Sequence, residues 1–280
     1  MFSRKNIIVL GMMIFALFLG AGNIIFPPME GYTAGQHWAT AALGFILTGV
    51  LMPFITLVVV SILGRGEELT RYLPKWAEVT FLVTLYLVIG STFAMPRITN
   101  VAYEMALVPL DLVADTPATH LIFAVVFNII AMLFMLKPNT IISSVGKFMT
   151  PALLVLLVVV TVTVFMSPLS EIAAPSKSYA DSSALTTGLI SGYQTMDVLA
   201  AIAFGGIVAR ALSAKNVTEP QKIMRYTVSA GCISVVLLAA LYFSLFYLGA
   251  TSDQVAQGAS NGGQIFSRYV NVLFGKEGSW

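Results

Sequence analysis

The stretch LFLGAGNIIFPP, Leu17–Pro28, lies inside an apolar run, yet it places Gly-Ala-Gly-Asn at its centre and two prolines just beyond. An unsatisfied backbone group in hydrocarbon costs several kcal/mol, so irregular backbone survives at membrane depth only where it is buried in protein or lines a cavity. Gly20 and Gly22 admit backbone angles closed to other residues. Asn23 suits the cap of a helix restarting beyond it. Pro27 and Pro28 bring no amide hydrogen, so within a helix the carbonyls of Asn23 and Ile24 lose their usual donors. Such a segment offers carbonyls to a cation, and amides at the positive start of a helix to an anion. A plain proline kink, with glycines packed on a neighbour, is the alternative.

The surroundings make the membrane reading firm. The 280-residue chain is 58% hydrophobic and 10% charged, with a mean hydropathy of +0.88. Soluble domains carry about a quarter charged residues. Runs near the roughly 20 apolar residues that a spanning helix needs recur along the whole length. The single cysteine, Cys232, excludes an intrachain disulfide framework. The histidines, His37 and His120, form no metal cluster, and a scattered net charge of +2 argues against nucleic acid as a partner. The basic, apolar N-terminus has the size of a signal peptide, but hydrophobicity resumes directly after Asn23, so it is read as part of the first span.

Seven spans are expected, at roughly 7–36, 38–63, 76–109, 118–136, 144–167, 184–210 and 223–250, with the start of an eighth near 264. The third, 34 residues or about 51 Å, must tilt or project. Arg4 and Lys5, then Arg65, Arg71 and Lys75, then Lys137 and Lys147, then Arg210, Lys215, Lys222 and Arg225 all fall before the first span, on alternate connections or in the span ends that border them. The opposite connections (31–38, 110–117, 167–183 and 250–263) hold only Lys177. The positive-inside rule then puts the N-terminus in the cytoplasm.

The sixth span carries a second interruption, LTTGLISGYQTMDVLAAIAFGGIV, with Gly188, Gly192, Gln194, Thr195 and Asp197 near its centre. An Asp at mid-membrane costs about 2.5–3.5 kcal/mol on insertion scales and is a functional candidate by default. Thr195 or Asp197 could equally cap a second half-helix, Val198–Val208, and the two roles are compatible. Interrupted helices five spans apart, one entering from each side, point to an inverted repeat with a binding site at the breaks. That is the pattern of a secondary transporter.

GAGNIIFPP, FAMPRITNVAYE in the third span and SGYQTMDVLAAIAFGGIV in the sixth resemble the bacterial branched-chain amino acid transport system II carriers, the branched-chain amino acid:cation symporter family. LFGKEGSW is similar to the family's lead-in to its eighth helix. The resemblance implies an all-α polytopic membrane protein with a leucine-transporter-like five-plus-five inverted-repeat fold, broken at helices one and six. Residues 1–280 then form a single transporter domain, with 7–167 the first repeat and 184–280 a partial second repeat. It further implies import of leucine, isoleucine and valine across the bacterial cytoplasmic membrane by Na⁺ or H⁺ symport, with no cofactor. Family members exceed 400 residues, so a C-terminally truncated form is expected, in which the family activity belongs to the complete protein.

The zwitterion is expected between the two breaks. With the breaks at Gly20–Ile24 and Tyr193–Asp197, its carboxylate would meet the amides around Ala21, Gly22 and Asn23, and its ammonium would meet carbonyls or side chains near Gln194, Thr195 and Asp197. Ile24, Phe93 and Met196 would face the aliphatic side chain, and the backbone of Gly20, Asn23 and Ile24 is the candidate Na⁺ position. An apolar pocket separates one methylene by only about 1–3 kcal/mol, so shared recognition of the three amino acids is expected.

Other features have plainer readings. Arg97 is expected to snorkel near the outer interface, or to pair with Glu104 or gate the outer entrance, and Glu30 to be a solvated or interfacial charge. Gly205-Gly206 permits close helix approach or a small bend. The phosphate-binding pattern GxxxxGK[ST] is absent, so no ATPase coupling is indicated. An intramembrane hydrolase is disfavoured, since HExxH is absent and Asp197 has no partner for an aspartyl dyad. A same-fold symporter for another neutral amino acid, or a non-transporting fragment, are the remaining alternatives.

Overall fold

A computed structural model describes residues 3–107, 116–136, 150–180 and 182–275. Among the described residues every regular element is a helix, the arrangement that satisfies backbone groups within one segment. The longer ones are α1 (Arg4–Phe18), α2 (Ala21–Ala34), α3 (Trp38–Ile46), α4 (Met52–Leu63), α5 (Lys75–Leu87) and α6 (Ala94–Ala106). They continue as α7 (Pro117–Met135), α8 (Thr150–Met166), α9 (Ala184–Tyr193), α10 (Asp197–Ser213), α11 (Pro220–Ala250) and α12 (Gly262–Phe274).

The helices divide the chain differently from the seven expected spans. By length and composition, four of the described helices could cross a membrane: Ala21–Leu63, Lys75–Met105, Pro117–Phe134 and Pro220–Ala250. The pair α9 and α10, bent by 45°, makes a fifth. The expected first span is cut after Phe18, which leaves α1 at 15 residues. Its second half runs on through a tight turn at Gly35–His37 into the expected second span, giving 43 helical residues. Gly35 takes φ +50° there, a left-handed value that glycine adopts without strain. Lys137, Lys147, residues 110–115, the start of the expected fifth span and the tail of LFGKEGSW lie outside the described residues.

The chain forms two compact units. The first comprises residues 1–20, 43–94 and 185–240. Its core is α4 against α10, where Leu57, Val60, Ala201, Val208 and Leu212 are fully buried. Gly205 sets the distance between these helices, since a Cβ there would lie 2.5 Å from Val60 Cβ. Of the two readings for Gly205-Gly206, close approach is therefore the one realised. Phe18, at the end of α1, meets Phe204 edge-on at 5.6 Å. Buried Ser61 donates to buried Thr227 at 3.2 Å, so these hydroxyls satisfy each other in apolar surroundings.

The second unit comprises residues 21–42, 95–184 and 241–280. Here α2 lies against the C-terminal end of α11 and the start of α12, backbone on backbone. A Cβ on Gly31 would collide with the Phe246 carbonyl, one on Gly249 with the Pro28 carbonyl, and one on Gly262 with the Ile25 carbonyl. The connection after α8 is tied to the same structure. Ser176 N–H donates to the Thr33 carbonyl at 2.9 Å, Gln36 N–H to the Ala173 carbonyl at 3.1 Å, and Asp253 N–H to Ser170 Oγ at 3.1 Å. Tyr103 on α6 lies against His120 of α7, the rings tilted by 37° with centroids 3.8 Å apart. Beyond that contact α7 presents an apolar, exposed surface, as lipid-facing helices do.

Candidate functional site

Both expected interruptions exist, and each can be built from its own residues. In the first, α1 closes at Phe18 when Leu19 N–H reaches the Phe15 carbonyl, and Gly20 N–H turns back to the Phe18 carbonyl at 2.9 Å. The helix restarts at Ala21. Asn23 is thus the third residue of α2 and not its cap, because Leu19 and Gly20 absorb the irregular backbone. Gly20 is exposed, Ala21 and Ile24 are half-buried, and Gly22 and Asn23 are buried. Pro27 and Pro28 sit inside α2 without ending it. Having no amide hydrogen, they cannot make the i→i−4 bonds to the carbonyls of Asn23 and Ile24; of the candidate Na⁺ positions these two lie in the first turn of α2, and Gly20 lies just before it.

The Asn23 side chain, 2% exposed, donates through Nδ2 to the hydroxyl of Tyr242, which is fully buried on α11. Arg97 also reaches this turn. Its guanidinium lies over the Phe26 ring at 5.1 Å, and a Cβ on Gly22 would stand 3.2 Å from Nη1. Glu104, which the sequence offered as an alternative partner for Arg97, receives Nδ2 of Asn261, the residue that caps α12. Glu30 is half-buried and takes the hydroxyl hydrogen of Tyr179, so it is a held carboxylate and not a freely solvated one.

The second interruption occupies Gln194–Met196. Met196 takes φ +65°, ψ +15°, a left-handed conformation that costs a non-glycine residue roughly 1–2 kcal/mol. Thr195 stitches the break: its hydroxyl donates to the Gly192 carbonyl at 2.8 Å and accepts the Asp197 amide at 3.4 Å. The N-cap itself is Met196, which makes no side-chain capping bond, so Thr195 braces the turn from one residue before the cap. Asp197 opens α10 and is 7% exposed, so its carboxylate sits where the helix dipole favours negative charge. Tyr193 and Gln194 are exposed and Met196 is half-buried. Upstream, Thr48 Oγ1 donates to the Leu189 carbonyl at 2.7 Å, and Gly192 lies flush on Phe45 and Thr48, which leaves no space for a side chain.

The structure also contains an interruption that the sequence did not lead us to expect. The third span kinks at Val88–Thr92, where Gly90 leaves helical geometry (φ −88°, ψ −107°). Phe93 follows directly, in non-helical backbone and half exposed. Gly90 and Pro96 were the signals present, but a lone glycine in a long apolar run is usually absorbed by the helix. Tyr242 gave no local signal at all.

The sequence model of the family described as "Branched-chain amino acid transport protein" matches residues 3–280. The chain belongs to this family. Within it, the chain is 75% identical over 280 residues to the branched-chain amino acid permease BrnQ of Haemophilus influenzae, covering 100% of this chain and 64% of that protein. It is 41% identical to the branched-chain amino acid transport system 2 carrier protein of Pseudomonas aeruginosa, over 98% of this chain and 62% of the relative. To the branched-chain amino acid permease BrnQ of Escherichia coli K12 it is 38% identical, over 99% and 62%. The chain therefore spans less than two thirds of the length of these relatives. No solved structure matches it.

Proposed function

We propose that this chain is part of a secondary active transporter that imports leucine, isoleucine and valine across the bacterial cytoplasmic membrane by cation symport, with its N-terminus in the cytoplasm. The observation that supports this most directly is the chemistry of the two helix restarts. The start of α2 presents amides with buried Asn23, which suits a carboxylate. The start of α10 presents buried Asp197 beside Thr195, which suits an ammonium. A zwitterionic amino acid carries both groups.

The carboxylate is assigned to the amides of Ala21, Gly22 and Asn23, and the ammonium to Asp197 with Gln194 and Thr195. Ile24, Phe93 and Met196 are assigned to the aliphatic side chain. Na⁺ or H⁺ is the coupling ion, and for Na⁺ the backbone carbonyls of Gly20, Asn23 and Ile24, at the break and in the proline-containing helix that follows it, are the proposed ligands. The five-plus-five inverted repeat remains the architecture proposed for the complete protein.

Leucine uptake into proteoliposomes under imposed Na⁺ or H⁺ gradients tests this reading. The 280-residue chain is run beside a form extended to the length of the relatives. Gradient-dependent accumulation, competed by isoleucine and valine, is the expected result for the extended form. Unchanged accumulation by Asp197→Asn removes that residue from the mechanism, and absence of leucine uptake overturns the proposal.

A further inference from the structure

We infer that Tyr242 is the positioning residue of the first interruption: by holding the Asn23 side chain it fixes the first turn of α2, and with it the direction of the Ala21–Asn23 amides. The functional consequence rests on the assignment of those amides to the substrate carboxylate.

The physical case begins with the prolines. In an unbroken helix the amides of residues 25 to 28 would bind the carbonyls of residues 21 to 24 and weld the first turn to the next. Pro27 and Pro28 remove two of those four links. The first turn of α2 is therefore poorly secured by its own helix, at the place where its geometry matters most. The backbone contacts of Gly31, Gly249 and Gly262 hold α2 from Ile25 onward, not at Ala21–Ile24.

The tie from Asn23 to Tyr242 acts on the missing stretch. Tyr242 is carried by α11, continuous from Pro220 to Ala250 with no proline inside, so the hydroxyl is presented from an uninterrupted backbone. Both partners are almost inaccessible, Asn23 at 2% and Tyr242 at 0%. Water cannot readily replace either partner, so loss of the pair costs a hydrogen bond made in buried surroundings. Because the ring fills space independently of its hydroxyl, Tyr242→Phe isolates the tie from packing.

The test combines two measurements on the full-length protein, in a background where Cys232 and any cysteine beyond residue 280 are replaced by serine. In the first, leucine uptake is compared for Tyr242→Phe, Asn23→Ala and the double variant. Tyr242→Phe raises KM about tenfold while leaving the maximal rate per reconstituted protein unchanged, and the double variant is no worse than Asn23→Ala alone. In the second, Ala21→Cys is labelled with a maleimide, and adding Tyr242→Phe accelerates labelling severalfold. Unchanged labelling overturns the inference whatever happens to KM, as does an effect in the double variant equal to the product of the two singles. If the unsubstituted protein takes up no leucine, the transport proposal fails, while accelerated labelling still supports the tie and unchanged labelling still overturns it.

Discussion

Gly31 rests on the backbone of Phe246. A Cβ added there would collide with the carbonyl oxygen and stand 2.8 Å from the Phe246 Cα. The obstacle is main chain of a long helix, not the end of a mobile side chain, so neither partner can yield locally. Overpacking a core by a few methylenes usually costs about 1–3 kcal/mol. Gly31→Ala and Gly249→Ala should cost at least the upper end of that range and appear as loss of monodisperse protein or a large fall in Tm. Gly206→Ala, whose nearest neighbour is 3.5 Å away, serves as the control and should melt like the parent.

Gly22 presents the opposite case. Its added methyl would meet the Nη1 atom of Arg97 at 3.2 Å and the Phe26 ring at 3.5 Å. Both are movable side-chain ends. Gly22→Ala should therefore fold, with a stability change below about 1 kcal/mol, and displace the guanidinium by a few tenths of an ångström. A Tm close to the parent, against the collapse of Gly31→Ala, is the outcome to look for.

Thr195→Ala removes the hydroxyl that accepts the Asp197 amide and binds the Gly192 carbonyl. Loss of these two local hydrogen bonds should cost about 1 kcal/mol, and Thr195→Ser should restore most of it. Met196→Val should be worse than either, because a β-branched residue is a true outlier at φ +65°. Thermal melts of the three variants side by side rank these effects.

Tyr179, in the connection after α8, has its pKa raised, first by burial and then by the adjacent Glu30 carboxylate. The raised folded value means that the protonated phenol is favoured by folding. Its contribution to stability is fully present below the ordinary tyrosine value of about 10 and is lost as pH climbs through the folded pKa. A difference titration of phenolate absorbance, parent minus Tyr179→Phe, should show no ionisation from Tyr179 where exposed tyrosines titrate. In Glu30→Gln the Tyr179 transition should move to lower pH, and an unmoved transition would sink the assignment of Glu30 as a cause.

The first break was legible from glycine, asparagine and proline together at membrane depth, and the second from glycines beside Gln194, Thr195 and Asp197, since such residues there need a protein neighbour or a cavity. Their internal geometry was less so. Asn23 looked like a cap because its side chain is suited to one, yet Leu19–Gly20 take the irregular backbone and release Asn23 for Tyr242. At the second break Gly192, near the centre of the interruption, is used for close contact with Phe45, and Met196 takes the left-handed turn. Pairings such as Asn23 with Tyr242 or Glu30 with Tyr179 join residues 219 and 149 positions apart, and no local period records them. The kink at Gly90 was not legible because a solitary glycine seldom bends a helix.

Carbonyls resting on Gly31, Gly249 and Gly262 leave a seam narrower than an acyl chain. No annular lipid can wedge into it, and detergent monomers are kept out equally. Solubilisation should act first on the outward face of α7, where Val125, Ile129 and Met132 are exposed, and leave α2 clamped to its neighbours. A purification that preserves monodispersity would then retain this part of the molecule even in short-chain detergents that strip bound phospholipid.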